Sequence, residues 1–104
     1  MRRGEVRWYK FSNPDKRRPA VILTRDSAID YLGEVIIAPI TRTIRDSPSE
    51  VLLTQADGLP TDSAVNLHHV QTVSKGRLGG LITTLDDEKM KRVRKALLFA
   101  LDFS

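Results

Sequence analysis

Glu34-Val35-Ile36-Ile37-Ala38-Pro39-Ile40 decides the fold class of this chain. The run is rich in Ile and Val, side chains that pack well on a pleated surface, and it reads as a strand. Pro39 cannot donate a ladder hydrogen bond, so an edge or a bulge is expected at that point. Val35 to Ile40 is also the longest unbroken apolar stretch, far too short to cross a membrane.

Working outward toward the N-terminus, Asp26 to Gly33 reads as a connecting loop with a helical turn. Before it, Arg17-Arg18-Pro19 leads into Ala20-Val21-Ile22-Leu23, a continuous apolar run suited to a strand buried on both faces. Arg18 precedes a proline and is pushed toward an extended conformation. Ser12-Asn13-Pro14-Asp15 is a turn signal. From Gly4 to Phe11, Val6 and Trp8 alternate with Arg7 and Tyr9, the period of a strand.

Working toward the C-terminus, Glu50 to Thr54 is a further strand and Asp57-Gly58-Leu59-Pro60 a turn. Ser63 to Leu67 and Val70 to Ser74 are short strands, and Arg77 to Ile82 continues the sheet with a bend permitted at Gly79-Gly80. The tail then changes period. Met90, Val93, Leu97 and Leu101 follow a three-to-four spacing, with Lys89, Arg92 and Lys95 off that stripe. Asp86-Asp87-Glu88 suits the start of this helix, since consecutive helix positions diverge too widely to converge on one metal ion. The expected architecture is mainly β: a small antiparallel barrel closed by a C-terminal α-helix.

Composition sets the outer limits. The chain has 104 residues, enough for one domain, taken as 1–104. Its 40% hydrophobic content is incompatible with a disordered chain. There is no cysteine, which excludes disulfide scaffolds, thiolate metal sites and thiol nucleophiles. With no disulfide and no signal segment, a cytoplasmic protein is expected. The net charge of +4 hides an asymmetry: residues 1–25 carry eight basic and two acidic side chains, the remainder nine basic and eleven acidic. Such a patch attracts a phosphate polymer or an acidic protein. No P-loop, GxGxxG or GxSxG motif is present, and no metal or nucleotide cofactor is expected.

Two further stretches carry functional groups. Thr41 to Arg45 places two hydroxyls and two guanidiniums, including Arg42, at a strand end, where binding groups commonly sit. His68 and His69 are neighbours that would point to opposite faces of a strand. If Val65 and Leu67 face the core, Asn66 and His68 face a groove or solvent.

Several segments resemble, in order, the MazF/PemK family of bacterial toxins. They are Arg3-Gly4-Glu5-Val6, then Arg18-Pro19-Ala20-Val21-Ile22-Leu23, then Val35 to Thr41, and Glu50-Val51-Leu52-Leu53. Gly58-Leu59, Ser63-Ala64-Val65, Gln71 to Lys75, Arg77-Leu78 and the tail from Leu85 to Leu97 continue the similarity. The resemblance spans residues 2–101 and implies the plasmid-toxin fold, an SH3-like barrel with a C-terminal helix. It also implies a homodimer that is the toxin of a type II toxin–antitoxin module. The implied activity is a metal-independent endoribonuclease cutting single-stranded RNA, mRNA included, at short motifs. In that chemistry the ribose 2′-OH attacks the adjacent phosphorus and leaves 2′,3′-cyclic phosphate and 5′-OH ends.

The resemblance also implies roles. Arg18 lies where the family keeps its catalytic arginine and Thr41 where it keeps its catalytic threonine. Lys16 and Arg17, beside Arg18, would guide RNA, as would Arg42 and Asn66. Some members use Arg and Asp in the strand that here reads Asn66 and His68. A histidine titrates near neutral pH, so His68 is the candidate acid or base in place of the carboxylate. The loop Ser12 to Arg17 is short for the family and lacks a histidine found there in some members. The implied partner is an antitoxin whose acidic, disordered segment crosses the same groove. Trp8 and Tyr9 are candidate stacking platforms, with core packing the expectation for Trp8. Two other readings stay open: a gyrase poison of the CcdB branch, and an inactive RNA- or protein-binding module.

Overall fold

The computed structural model describes residues 1–10 and 17–103. The expected turn at 12–15 and most of the short loop therefore lie outside the described residues. Among these residues seven strands and two α-helices follow in order: β1 Glu5–Lys10, β2 Arg17–Ile22, α1 Asp26–Ile29, β3 Glu34–Thr41, β4 Glu50–Leu53, β5 Ser63–Asn66, β6 Gln71–Ser74, β7 Leu78–Thr84 and α2 Asp87–Leu101. Every strand pairing is antiparallel, in the order β4-β5-β3-β2-β1-β7 with β6 also on β3.

β3 is a central strand, not an edge, and Pro39 marks a change of partner. On one side Ile37, Ala38 and Pro39 pair with Ile22, Val21 and Ala20 of β2. On the other, Glu34 to Ile37 pair with β6, whereas Ile40 and Thr41 pair with β5. Between β5 and β6 the chain makes a 3-10 turn, Leu67–His69. Pro39 faces this interruption, where a residue without an N–H costs no ladder bond.

The apolar residues segregate by strand parity, since alternate side chains point to opposite faces. Val6, Val21, Ala38, Ile40, Val51, Leu53 and Val65 form one core with Val93 and Ala96 of α2. Tyr9, Ala20, Ile22, Val35, Ile37 and Val73 form a second core with Ile29 of α1. The continuous run at 20–22 is therefore buried on both faces, as its composition demands. Lys75 Nζ donates to the Ile29 carbonyl at 2.7 Å and fastens α1 over its core.

α2 begins where its acids suggest. Asp86 Oδ1 accepts the Lys89 N–H at 2.8 Å as an N-cap. Leu101, expected on the apolar stripe, is 48% exposed. Each four-residue step advances about 40° beyond a full turn, so the series Val93, Leu97, Leu101 drifts off the core face.

The sheet curls but does not close: β4 and β7 have no ladder between them. A side chain bridges the gap. Thr83 Oγ1 of β7 donates at 3.0 Å to the carbonyl of Asp57, in the 3-10 turn Gln55–Asp57 that follows β4. Gly58 ends that turn at φ 96°, a conformation glycine adopts without cost. A Cβ there would overlap Thr83 Oγ1 and lie 2.6 Å from Thr83 Cβ. Gly58→Ala is expected to lower stability by roughly 1–3 kcal/mol, read as a fall in the urea midpoint with an unchanged slope.

Candidate functional site

The divergence of β2 and β3 opens a concavity. Their last cross-strand pair on this side is Ala20 with Pro39. Beyond it β2 continues toward Arg17, paired with β1 alone, while β3 leaves for β5. The result is a groove of about 490 Å³ lined by Arg17, Arg18 and Pro19 from β2, Ile40 to Thr43 at the end of β3, Trp8, and Leu59, Pro60, Thr61 and Ser63 across the gap. Ile40, Leu59 and Ser63 are its buried residues.

Its charge is one-sided. Among the described residues three guanidiniums line it and no carboxylate does. Among the described residues no acidic side chain pairs with Arg17, Arg18 or Arg42. Unneutralised guanidiniums with forked donors suit phosphate oxygens. Arg17 instead lies over the Trp8 indole, 5.2 Å from the ring centroid.

Thr41 is held by its own loop. Its Oγ1 accepts the Thr43 N–H at 3.1 Å, which fixes the oxygen and leaves the hydroxyl proton free to be donated. Across the groove, Ser63 Oγ donates to the Thr61 carbonyl at 3.0 Å, holding that wall together.

The sequence-derived candidates thus divide. Arg17, Arg18, Thr41 and Arg42 meet in the groove. Lys16 lies outside the described residues. Asn66 and His68 do not line the groove. The expectation that His68 continues a strand fails, because Asn66 Oδ1 accepts the His68 N–H at 3.0 Å and turns the chain into the Leu67–His69 turn. Strand parity therefore ends at Asn66, and the turn packs against α2. The aromatic expectations also need revising. Tyr9 is buried in the second core, whereas Trp8, expected in the core, is half-buried and lines the groove. Thr43 is the second hydroxyl of the Thr41 to Arg45 stretch singled out above, whereas Thr61 and Ser63 carried no sequence signal beyond their nearness to a turn.

With the geometry established, comparison with known proteins assigns the class. The sequence profile of the PemK-like, MazF-like toxins of type II toxin–antitoxin systems matches residues 2–101, and the chain belongs to that family. It is 43% identical over 103 residues to the probable endoribonuclease MazF5 of Mycobacterium tuberculosis, covering 98% of this chain and 94% of that one. It is 34% identical over 98 residues to the probable endoribonuclease MazF2 of the same species, covering 93% and 94%. The solved structure of the M. tuberculosis toxin MazF-mt6 superposes with a TM-score of 0.88 at 31% identity, over 96% of this chain and 98% of that one. A mycobacterial endoribonuclease solved in complex with its cognate antitoxin shares the fold, with a TM-score of 0.88 at 23% identity over 100% and 97% of the two chains.

The groove's charge makes a first prediction. Affinity for single-stranded RNA should fall linearly with salt on logarithmic axes, and Arg42→Gln should reduce the slope by about 0.7, the share of one phosphate contact. Filter binding between low and moderate salt measures it, and an unchanged slope would remove Arg42 from the RNA path.

Proposed function

We propose that this chain is the toxin of a type II toxin–antitoxin module and an endoribonuclease that cuts single-stranded RNA in the groove between β2 and β3. The convergence of Arg18 and Thr41 on a groove that, among the described residues, is rich in guanidiniums and lined by no carboxylate carries this reading. Family membership and the endoribonuclease names of the relatives support it.

The chemistry follows from what the groove offers. The 2′-oxygen attacks phosphorus as its proton passes to water in the open groove, and the bond to the 5′-oxygen breaks as that oxygen takes a proton back from groove water. A 2′,3′-cyclic phosphate and a 5′-OH remain. The phosphorane that forms carries an extra negative charge on its equatorial oxygens. Arg18 supplies the forked, permanently charged donor that stabilises it. Pro19 stiffens the chain leaving Arg18, and pairing with β1 (Arg18 opposite Tyr9) holds its backbone. The Thr41 hydroxyl donates a hydrogen bond to a phosphate oxygen. Arg17 and Arg42 track the neighbouring phosphates.

The partner follows from the same charge. An acidic, extended antitoxin segment satisfies the three guanidiniums as RNA does and excludes it by occupancy. Among the described residues no helix is long and apolar enough to cross a membrane. A cytoplasmic homodimer with RNA and antitoxin as its ligands completes the proposal.

The test is incubation with a long mixed-sequence RNA in EDTA, with the new 5′ ends mapped. Discrete cuts bearing 5′-OH ends are expected, and uncut RNA refutes the proposal. Arg18→Ala should lower kcat/KM by about 10²–10³-fold while the protein stays folded. Thr41→Val, which removes one neutral donor, should cost roughly ten-fold. His68 gives a separate measurement. Because its turn lies off the groove, His68→Gln is expected to keep the rate within about two-fold and the pH–rate profile unchanged. A loss of about 10²-fold or more would instead make His68 the acid or base.

A further inference from the structure

Trp8 lines the groove beside Arg18 and Thr41, yet the cleavage chemistry makes no use of it. We propose that the indole face now covered by Arg17 is a stacking shelf for the RNA base next to the scissile phosphate, with Arg17 as its gate. The inference rests on the RNA-cleaving reading of this groove and adds a residue that sets where the strand lies.

Three observations lead to it. First, Trp8 shares strand parity with the fully buried Val6, yet stands half-buried at the rim of a positively charged groove. Tyr9, with the opposite parity, is consumed by the second core. An aromatic face bordering guanidiniums is the combination that holds single-stranded nucleic acid, one part for the base and the other for the phosphate.

Second, the shelf is built before any ligand arrives. Trp8 stands opposite Pro19 in the β1–β2 ladder. On its other side β7 bulges at Gly79-Gly80 between the pairs Arg7–Leu81 and Tyr9–Leu78. A Cβ at Gly79 would come within 3.4 Å of Trp8 Cβ, so the bulge leaves room for the residue that carries the ring. Pro19 directly follows Arg18, and Trp8 and Arg18 line the same groove, so the shelf borders the guanidinium assigned to the scissile phosphate.

Third, the ring is covered by a group able to leave. The Arg17 guanidinium sits 5.2 Å from the indole centroid. It has no carboxylate partner among the described residues. Before RNA binds, it shields an apolar surface from water. When a base stacks on the indole, the guanidinium exchanges the ring for a backbone phosphate, the partner its fork matches better. Every base has a π-face, so the shelf supplies affinity and register more than sequence choice.

Trp8 is the sole tryptophan, so its emission reports the event directly. The probe is a single-stranded oligoribonucleotide spanning a mapped cut site, with hydrogen replacing the scissile 2′-hydroxyl. Its all-ribose counterpart is cut in parallel by the same protein. Saturable quenching or a spectral shift of Trp8 emission is expected as the uncleavable strand is added. Trp8→Ala should raise KM about ten-fold with kcat within about two-fold, and Trp8→Phe should restore most of the loss. Abasic substitutions walked along the probe should then find one position adjacent to the cut that costs wild type about ten-fold and costs Trp8→Ala nothing further. Silent emission on a strand that the protein holds and cuts would overturn the shelf, as would strictly additive losses at every abasic position. Should Trp8→Ala not fold, wild-type emission decides alone. Failure of wild type to cut the all-ribose strand would count against the RNA reading of the groove, and the shelf with it.

Discussion

The constraint on which the rest of the structure depends is that β3 cannot keep one set of partners along its whole length. Pro39 interrupts its ability to donate, and the chain opposite inserts a 3-10 turn between β5 and β6 at that point. β3 is thereby divided between two halves of the sheet. One half is shared with β2 and β6, the other with β5 and, through it, β4. A flat sheet could not bury apolar residues on both faces of β2 and β3 with so short a chain. The divided one does, with α2 covering one core and α1 the other.

The groove is a by-product of that division. Where β3 departs for β5, the start of β2 loses its neighbour and a cleft opens between two rigid strand ends. Side chains at such positions are aimed by ladders on one side and free on the other. Arg18 stands in register opposite Tyr9, and Thr41 opposite Ala64. The scaffold fixes both backbones, and only side-chain freedom remains to be lost when a ligand binds. The electrostatic arrangement complements this. Three guanidiniums with no carboxylate partner among the described residues repel one another, and a phosphate chain or an acidic peptide would relieve that repulsion.

Much of this was legible in the residues, and the failures are informative. The strand positions, the connecting helical turn, the terminal helix with its Asp86 cap, and the gathering of Arg17, Arg18, Thr41 and Arg42 followed from local pattern and family resemblance. His68 was misplaced because a parity argument assumes that the strand continues. The Asn66 side chain ends it by capping its own backbone, an event that alternation of apolar residues does not reveal. Trp8 was misread because parity says which face a residue takes, not whether the core extends beneath it. β2 and β3 have already separated at that level, and only the three-dimensional register shows it. Leu101 drifted off its stripe for a related reason, since a four-residue spacing does not track a helix for long. The open sheet, finally, was invisible because closure depends on how far the curl proceeds, and here it stops one side-chain hydrogen bond short.

That open seam has a cost and a remedy. A sheet with free borders offers unpaired amides to any passing strand and so invites aggregation. The two end strands of the sheet are blunted here. β4 is only four residues long, and the carbonyl of Leu52 is occupied by Lys89 Nζ of α2 at 3.0 Å. β7 is broken by its two-glycine bulge, and the Gly79 carbonyl is taken by Arg7 Nη1 at 3.0 Å. Arg7 is itself steadied by Glu5 Oε1 at 2.8 Å. The same kind of charge that the groove presents to its ligands is thus used at the borders to keep identical chains from adding to one another's sheets.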